Sequence, residues 1–383
     1  MEPITLRDYQ EESVAALLKA RRGICKIPAG GGKTIVGAGA TNAAVRRRRL
    51  VNRTPVRVVV IANTLEQVAQ WKQAMEAFPL TRADEPATEI SFHCFAARTC
   101  TWGADIVIID ECQHVAAYNA RGSVQGFKGM HLWGFSATPE RNDELRDDVF
   151  RLLGPIVIEI PRERLIAGNK LLRARVYLRT GGEPGKYDKL VDAEARPLIE
   201  RRLRYWRCSR DEVVSRTIYP LALEYGIFKN QHRTQSVLDV ARYQARRDPK
   251  QSVLILVATI EQGEALEKEL PGIGRLVHSK VPKKARAEAI EAFRDGSLPV
   301  MLATSLADEG LDVPRASVLI MAGAGRSAAR AEQRTGRVLR TWGEKTHGVI
   351  YDFWDCQHRF LLAQSRARKR TYEELNYQVS FIP

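Results

Sequence analysis

Hydrophobic and polar positions in the first part of the chain recur with the periods of strands and helices in turn. They predict an amphipathic helix over Leu6–Ala20, a short apolar strand over Ile24–Pro28 and a helix from Thr34 to about Val45. The same pattern predicts strands over Val56–Ala62, Glu89–Cys94, Ile106–Ile109 and Gly129–Phe135, and a helix over Leu65–Phe78. Strands that alternate with helices in this way favour a parallel sheet with crossover helices.

A second block with the same alternation begins near Gln235. Its predicted strands are Val253–Val257, Arg275–Val277, Val300–Ala303, Val318–Met321 and Gly348–Asp352, and its helices include Glu261–Leu270 and Lys283–Phe293. Between the two blocks, Gly181, Gly182, Pro184 and Gly185 interrupt the pattern. We therefore predict an α/β protein with a first lobe over residues 1–168, a connector or small insertion over 169–220, and a second lobe with a basic tail over 221–383.

Composition narrows the class of protein. The apolar runs have the length of strands and are far shorter than the roughly 18 residues of a membrane span, and the acidic N-terminal residues Glu2 and Asp8 do not resemble a secretion signal. The six cysteines lack C-x-x-C spacing, so we expect neither structural zinc nor a disulfide framework. A reducing cytoplasm, bacterial or phage-like, is the expected location.

The formal net charge of +15 indicates a polyanionic partner, because a protein that neutralises phosphates gains affinity from counterion release. A basic but inert surface is the alternative. Arg201, Arg204, Arg207 and Arg210 recur every three residues around Tyr205 and Trp206, and we single out Arg204 and Trp206 as nucleic-acid contacts. A second basic cluster covers Arg366–Arg370; either cluster could instead be a solvated face.

A glycine-rich turn follows the first strand and opens a helix. Such a turn gathers backbone N–H groups and the positive end of the helix at one place, which suits a polyphosphate. The residues expected to contact the nucleotide are Pro28, Ala29, Gly30, Gly31, Gly32, Lys33 and Thr34. Lys33 would reach the β- and γ-phosphates, and the Thr34 hydroxyl would ligate Mg²⁺. The general phosphate-loop pattern has a glycine where this chain has Ile27, and a glycine turn with a chance Lys-Thr pair is the alternative.

Two carboxylates follow a strand of four apolar residues, Ile106–Ile109. An acid at such a strand end, near a phosphate loop, can hold Mg²⁺ through water, and a second can orient and deprotonate the attacking water. Asp110 and Glu111 fit these two roles. A solvated acidic turn after a core strand is the alternative.

The glycine turn, the acidic pair and several other segments together resemble the motifs of superfamily 2 helicases over residues 4–160 and 235–355. The glycine turn has their shortened form P-x-G-x-G-K-T, and Asp110–His114 is similar to the DEAD/DEAH box with Gln113 at the usual His or Asp position. Ser136-Ala137-Thr138 resembles the third motif, the segment from Ala303 to Pro314 resembles motif V, and Gln333-x-x-Gly336-Arg337-x-x-Arg340 matches the arginine-finger motif. Leu6–Gln10 resembles the adenine-recognition segment. The likeness is greatest to phage branch-migration helicases and to repair helicases of the xeroderma pigmentosum group B type.

The resemblance implies a fold and a set of roles. Each lobe would be RecA-like, and ATP and Mg²⁺ would be the cofactors. Gln333, Arg337 and Arg340 would serve catalysis, with the two arginines acting on the γ-phosphate bound by the first lobe. Arg7 and Gln10 would recognise adenine, and Gly310 and Asp312 would lie near the nucleotide.

The family register also indicates residues that contact nucleic acid. These are Asn63, Thr64, Thr259 and Thr304, each of which follows an apolar strand. Asn and Thr are equally favoured as helix N-caps, so capping is the alternative for each.

The sequence thus predicts a nucleic-acid-dependent ATPase, a helicase or translocase that acts on DNA as a monomer. An RNA helicase would share every motif named. A nucleic-acid-binding remodelling subunit with weak ATPase is the alternative from another class, although the intact Lys33, Asp110 and Glu111 speak against it.

Overall fold

The computed structural model describes residues 5–51, 55–78, 88–95, 103–117, 121, 124, 126–140, 146–247, 251–304, 313–323 and 328–382. Within it the chain divides into two compact units, with the boundary between Leu171 and Leu172. None of the helices in these ranges is long and apolar enough to cross a membrane.

The first unit is a parallel sheet flanked by helices, as the alternating pattern predicts. Its strands are β1 (Arg22–Lys26), β2 (Val56–Ala62), β3 (Thr88–Cys94), β4 (Ile106–Asp110), β5 (His131–Ser136) and β6 (Ile156–Glu159). Its helices are α1 (Asp8–Lys19), α2 (Lys33–Val51), α3 (Leu65–Glu76), α4 (Arg146–Leu153) and α5 (Arg162–Ala167), and a 3₁₀ turn covers Cys112–Ala117.

The six strands of the first sheet are parallel and lie in the order β3-β2-β4-β5-β1-β6. All five residues of β4 are buried, which agrees with its continuous apolar run. Because β4, β5 and β1 are neighbours, their carboxyl ends meet at one edge of the sheet. That edge carries the glycine turn, the acidic pair and Ser136.

The second unit repeats this architecture. Its strands are β7 (Arg173–Thr180), β8 (Ser252–Leu256), β9 (Gly274–Val277), β10 (Val300–Ala303), β11 (Ala316–Met321), β12 (His347–Trp354) and β13 (Gln378–Ile382). Its helices are α6 (Asp188–Tyr205), α7 (Arg210–Leu223), α8 (Gln231–Arg247), α9 (Ile260–Lys268), α10 (Lys283–Asp295), α11 (Ala328–Val338) and α12 (Arg359–Glu374), with a π turn over Glu224–Phe228. The sheet is parallel in the order β13-β7-β12-β11-β8-β10-β9.

From Leu172 onward, the segment 169–220, predicted as a connector or small insertion, belongs to the second unit in the structure. Residues Arg173–Thr180 form β7, which lies between β12 and β13. The following helices α6 and α7 pack on each other around Val191, Ala195 and Ile218, with Phe360 of α12 against them. The alternation of exposed and buried residues in β7 is a strand signal, which the sequence reading passed over because the glycines at 181–185 indicated a connector.

Buried ion pairs fix helices to the end of β12. Arg233 of α8 donates from Nε to Asp355 Oδ1 at 2.7 Å, and Arg368 of α12 donates from Nε to Asp352 Oδ2 at 2.8 Å. Arg368 is only 3% exposed. It therefore does not belong to the basic surface cluster predicted over Arg366–Arg370, because its charge is neutralised inside the lobe.

Candidate active site

The phosphate loop joins β1 to α2, and two steric requirements explain its three glycines. Gly30 and Gly32 have φ of 84° and 83°, a left-handed conformation that side chains disfavour. Gly31 has an amide N–H that donates to the Pro28 carbonyl at 3.0 Å, and a Cβ there would overlap the buried side chain of Ile27. Ile27 thus fills space beside the loop, which explains how the chain departs from the general pattern and still forms the turn.

Helix α1 lies directly against this loop. The Tyr9 hydroxyl donates to the Gly31 carbonyl at 3.0 Å, and the Arg7 guanidinium donates to the same hydroxyl at 3.1 Å. The buried Gln10 side chain lies beside Gly32, and its Oε1 accepts the Arg7 amide at 3.0 Å. The predicted adenine-recognition segment is therefore next to the phosphate loop, and Tyr9 is a support that the sequence reading missed.

Asp110 ends β4 with both carboxylate oxygens held. Trp71 Nε1 donates to Oδ2 at 2.9 Å, and the Glu111 amide donates to Oδ1 at 3.0 Å. Burial, together with the adjacent charge of Glu111, raises the pKa of Asp110 to about 6. The side chain is thus fixed at the sheet edge and mostly ionised at neutral pH.

Glu111 is buried and lies close to Lys33. Lys33 Nζ is 3.5 Å from Glu111 Oε1, and Gln113 Nε2 donates to Oε2 at 2.9 Å. Burial acts to raise the pKa of Glu111, but the attraction of Lys33 and the hydrogen bond from Gln113 outweigh it, so the pKa lies below its ordinary value. The Glu111 backbone has φ of 46°, a strained conformation for a residue with a side chain.

Gln113 connects the acidic pair to the third motif. The Ser136 hydroxyl donates to Gln113 Oε1 at 2.6 Å, and the Thr138 amide donates to Ser136 Oγ at 3.0 Å. Both Gln113 and Ser136 are buried. A continuous path of polar contacts therefore runs from Lys33 through Glu111 and Gln113 to Ser136, across the ends of neighbouring strands.

Trp71 is a second residue that the sequence reading assigned only to the core. Its ring packs edge-on against Phe135 at 5.8 Å and over Gly37 of α2, where a Cβ would overlap it. A buried indole N–H needs an acceptor. Trp71 was predicted to lie on the packed face of its helix, so its indole N–H would require an acceptor there. This requirement could have linked Trp71 to Asp110 from the sequence.

The residues predicted to act from the second lobe are described in part. Arg337 is buried on α11, and Arg340, just after it, is partly buried with its pKa lowered by burial. Gln333 also belongs to α11, although its side chain is outside the description, and Gly310 and Asp312 lie outside the described residues. Their roles stay predictions.

The predicted nucleic-acid residues Thr64 and Thr259 cap helices. Thr64 Oγ1 accepts the Gln67 amide at 3.3 Å, and Gln67 Oε1 accepts the amides of Asn63 and Thr64. Thr259 Oγ1 accepts the Gln262 amide at 3.1 Å. The sequence Thr-x-Glu-Gln thus begins a helix after both β2 and β8, a short repeat between the lobes that the sequence reading overlooked, and it forms a full capping box at Thr64.

The Thr259 hydroxyl has a second polar neighbour besides the Gln262 amide. The pKa of the Glu261 carboxyl lies below its ordinary value. The largest cause is a hydrogen bond from the Glu261 backbone N–H, and the second is a hydrogen bond from the Thr259 hydroxyl. A carboxylate at this place repels an anion. Thr304 follows β10, the neighbour of β8, so both threonines lie at the carboxyl edge of the second sheet.

The arginine-rich helical hairpin α6–α7 carries two exposed aromatic residues, Tyr205 and Trp206. Trp206 lies between two guanidinium groups of its own chain, at 4.9 Å from Arg202 and 5.9 Å from Arg216. Tyr205 is 79% exposed, and Arg204 is exposed beside it. Tyr205 is therefore better placed than Trp206 to stack on a base.

The donor set at the sheet edge fits a magnesium ion. Asp110 and Thr34 supply carboxylate and hydroxyl oxygens, the hard ligands that Mg²⁺ prefers beside substrate phosphates. Asp110 is held by two hydrogen bonds that leave lone pairs on both oxygens. A helix N-terminus with a glycine loop, a lysine and an acidic pair defines a phosphate-loop nucleoside triphosphatase.

The matching family models and relatives show which kind of nucleoside triphosphatase this chain resembles. Residues 3–97 match the model for the res subunit of type III restriction enzymes, and residues 234–341 match the helicase conserved C-terminal domain. The chain is 27% identical over 364 residues to the DNA 3'-5' translocase XPB2 of Sulfurisphaera tokodaii, covering 88% of this chain and 79% of that protein. It is 26% identical over 399 residues to putative helicase 22 of a Sulfolobus islandicus filamentous virus, covering 97% and 68% respectively.

Solved structures agree on the fold. The ATP-dependent type ISP restriction-modification enzyme LlaBIII bound to DNA matches with a TM-score of 0.66 at 14% identity, covering all of this chain and 31% of that one. Dbp5 of S. cerevisiae bound to RNA and ADP BeF3 matches with a TM-score of 0.60 at 15% identity, covering 98% and 89%. The two lobes are RecA-like, and the helicase domains and helicase relatives make the chain an ATP-dependent helicase. The predicted likeness to repair helicases of the group B type is confirmed, and a viral helicase is among the relatives that match.

Proposed function

We propose that the protein is a DNA-dependent ATPase that moves along one strand in the 3' to 5' direction and thereby unwinds or remodels duplex DNA. Curated relatives that align over most of this chain are named DNA 3'-5' translocase or helicase, and this supports both the polymer and the direction. The net charge of +15 supports a polyanionic track.

The observation that carries the proposal is the path of contacts from Lys33 through Glu111 and Gln113 to Ser136. The residues of this path belong to three separate motifs and converge at the ends of β1, β4 and β5. A protein that only bound nucleic acid would have no use for a partly buried lysine paired with a buried carboxylate beside a glycine loop.

Nucleotide binding is proposed to begin at the phosphate loop. Lys33 would leave Glu111 for the β- and γ-phosphates, while the loop amides bind their oxygens. Mg²⁺, held by Thr34 and Asp110, would neutralise charge on the phosphates when bound. Arg7 and Gln10 would contact the adenine from α1, with Gly310 and Asp312 near the nucleotide.

Glu111 is proposed to orient and deprotonate the attacking water. Its pKa is low while Lys33 lies 3.5 Å away. Movement of Lys33 to the phosphates removes that attraction, and the pKa of the buried carboxyl then rises toward that of a base. Gln113 donates to Glu111 Oε2 and so holds the carboxylate in one orientation. Arg337 and Arg340, with Gln333, would stabilise charge on the γ-phosphoryl oxygens.

DNA contact is proposed for Asn63, Thr64 and Thr304 and for the exposed arginines of the α6–α7 hairpin, including Arg204. Thr259 is proposed on the same ground as Thr64, since the hydroxyl of each caps a helix that follows a strand. Trp206 is proposed as a weaker contact, because Arg202 and Arg216 lie against its ring. The contacts would be mostly to phosphates, which position the strand without reading its sequence.

The test is ATP hydrolysis by purified protein with single-stranded DNA, duplex DNA and RNA in parallel reactions. DNA should raise kcat at least tenfold, RNA should raise it much less, and both effects should disappear in Lys33→Ala while DNA binding remains. Strand displacement from substrates with either a 3' or a 5' tail then reports the direction.

Each rival has its own outcome in these reactions. Equal or greater stimulation by RNA would identify an RNA helicase. DNA binding without stimulated hydrolysis would identify a remodelling subunit with a weak ATPase. Full activity in Lys33→Ala would remove the site assignment altogether.

A further inference from the structure

Lys345 lies in the loop between α11 and β12, and its side chain turns inward. Its Nζ donates to the carbonyl oxygens of Ala316 at 2.6 Å, Arg340 at 3.1 Å and Pro314 at 3.4 Å. An ammonium group has three N–H donors. The three carbonyls therefore engage all of its hydrogen-bonding capacity.

Two of the three carbonyls belong to segments that the sequence analysis linked to the nucleotide. Pro314 ends the motif V pattern, and Arg340 is the last arginine of the arginine-finger motif. Ala316 begins β11 and is buried. A single side chain thus joins the backbone at the ends of both motifs.

Stability alone does not account for an ammonium group at this position. Burial and the nearby charge of Arg340 lower the pKa of Lys345 to about 7, which shows that the charged form is costly there. The carbonyl contacts offset that cost only in part, and an apolar side chain would avoid it. Groups with strongly perturbed pKa values cluster at functional sites.

We propose that Lys345 is a positioning residue that holds the backbone of Arg340 in a fixed place relative to the end of motif V, so that the Arg340 guanidinium is ready for ATP hydrolysis. This rests on the proposed function. The effect of Lys345 passes through the Arg340 carbonyl, which accepts a hydrogen bond from Nζ at 3.1 Å. The neighbouring residue Leu339 is also fixed through its backbone carbonyl, which accepts the Leu172 amide at 2.8 Å.

The test compares Lys345→Met, Lys345→Arg and the exposed control Lys268→Met on the intact chain. We measure DNA-stimulated kcat, KM for ATP, equilibrium binding of ATP to each protein, and melting temperature. Lys345→Met should lower kcat at least tenfold with KM and ATP affinity within twofold of the wild type, because the phosphate loop is in the first unit. Lys345→Arg retains donors for the carbonyls and should recover a large part of the loss.

Several results would overturn this inference. A kcat for Lys345→Met within twofold of the wild type would do so, and so would a loss in Lys345→Arg as deep as that in Lys345→Met. If Lys345→Met melts below the assay temperature, Lys345→Arg decides: a folded, inactive Lys345→Arg contradicts the proposal. Failure of the proposed function is distinct, since wild-type protein would then show no DNA-stimulated hydrolysis at all.

Discussion

Glu111 holds a left-handed backbone conformation that costs on the order of 1 kcal/mol for a residue with a side chain. The surrounding contacts maintain it: Lys33 and Gln113 hold the carboxylate, and the Glu111 amide donates to Asp110. The strain turns two successive carboxylates toward different partners, Asp110 toward Trp71 and Glu111 toward Lys33. Two adjacent acids on a regular strand would point to opposite faces of the sheet.

Replacement of Gln113 by alanine tests whether this network supports hydrolysis. Gln113→Ala leaves Glu111 Oε2 and Ser136 without their buried partner, so we expect kcat to fall about tenfold to a hundredfold, with nucleotide affinity little changed. The measurement is steady-state ATPase with and without DNA. Gln113→His, which restores the residue type usual in the family, is the matched control and should retain more activity; equal activity in both variants would contradict the role.

Single residues of the site were predictable wherever a motif fixed their chemistry. Lys33, Asp110 and Glu111 converge as the sequence indicated, because the carboxyl ends of neighbouring parallel strands share one edge. Trp71 and Tyr9 were not predicted as site residues. Their roles depend on which polar atom lies opposite an indole N–H or a phenol, and periodicity carries no information about that.

At the scale of elements, helix starts in both lobes are set by side chains. The Thr-x-Glu-Gln segments begin α3 and α9. His358 begins α12, because its Nδ1 accepts the Phe360 amide at 3.1 Å. His358 is fully buried, and only the neutral imidazole has a lone pair for this bond. The start of α12 therefore depends on the protonation state of one ring.

We expect stability to fall in acid through His358. Burial lowers the pKa of His358 from 6.5, with Arg359 acting in the same direction and Asp188 opposing it. The unfolded chain therefore binds the proton first, so the contribution is complete above pH 6.5 and is lost as the pH falls through the lowered value. Between pH 8 and pH 5.5, the melting temperature should fall more in the wild type than in His358→Asn, which caps without titrating. Equal falls would contradict the assignment.

Elements with local causes were predicted within a few residues, and elements with distant partners were missed. The apolar runs of β2, β4 and β8 are self-evident in the sequence, since both faces of these strands are covered. The strand β7 reads R-A-R-V-Y-L-R-T, an alternation typical of a strand, and pairs with β12 and β13 far along the chain. The glycines at residues 181–185 follow the end of β7. They are the reason that the region 169–220 was interpreted as a connector.

At the scale of the whole molecule, some arginines are neutralised inside the fold and others face water. Arg233 and Arg368 form ion pairs with buried carboxylates, and Arg202 donates to the Thr217 hydroxyl at 2.8 Å. Arg201, Arg204 and Arg207 of the hairpin region are exposed. They are the better candidates for phosphate contact, because their charge faces water.

Replacing Arg201, Arg204 and Arg207 together by glutamine should weaken duplex DNA binding and flatten its dependence on salt. Each lost phosphate contact should reduce the slope of log K against log salt by about 0.9. Titrations at several salt concentrations give the slope, and ATPase without DNA should be unchanged. The control replaces Lys280, Lys283 and Lys284, which are also exposed, by glutamine. Equal changes in slope for the two triple variants would show that only net charge matters.

The place of β7 between β12 and β13 also sets an order of events during synthesis. The strands of the first sheet lie within residues 22–159, so that lobe can fold as soon as it leaves the ribosome. β7 is made next, but its partner strand β12 follows roughly 170 residues later, on the order of 20 s at typical translation rates. During that interval β7 has neither partner, and the second lobe can close its sheet only after β12 arrives to join β7 to β11.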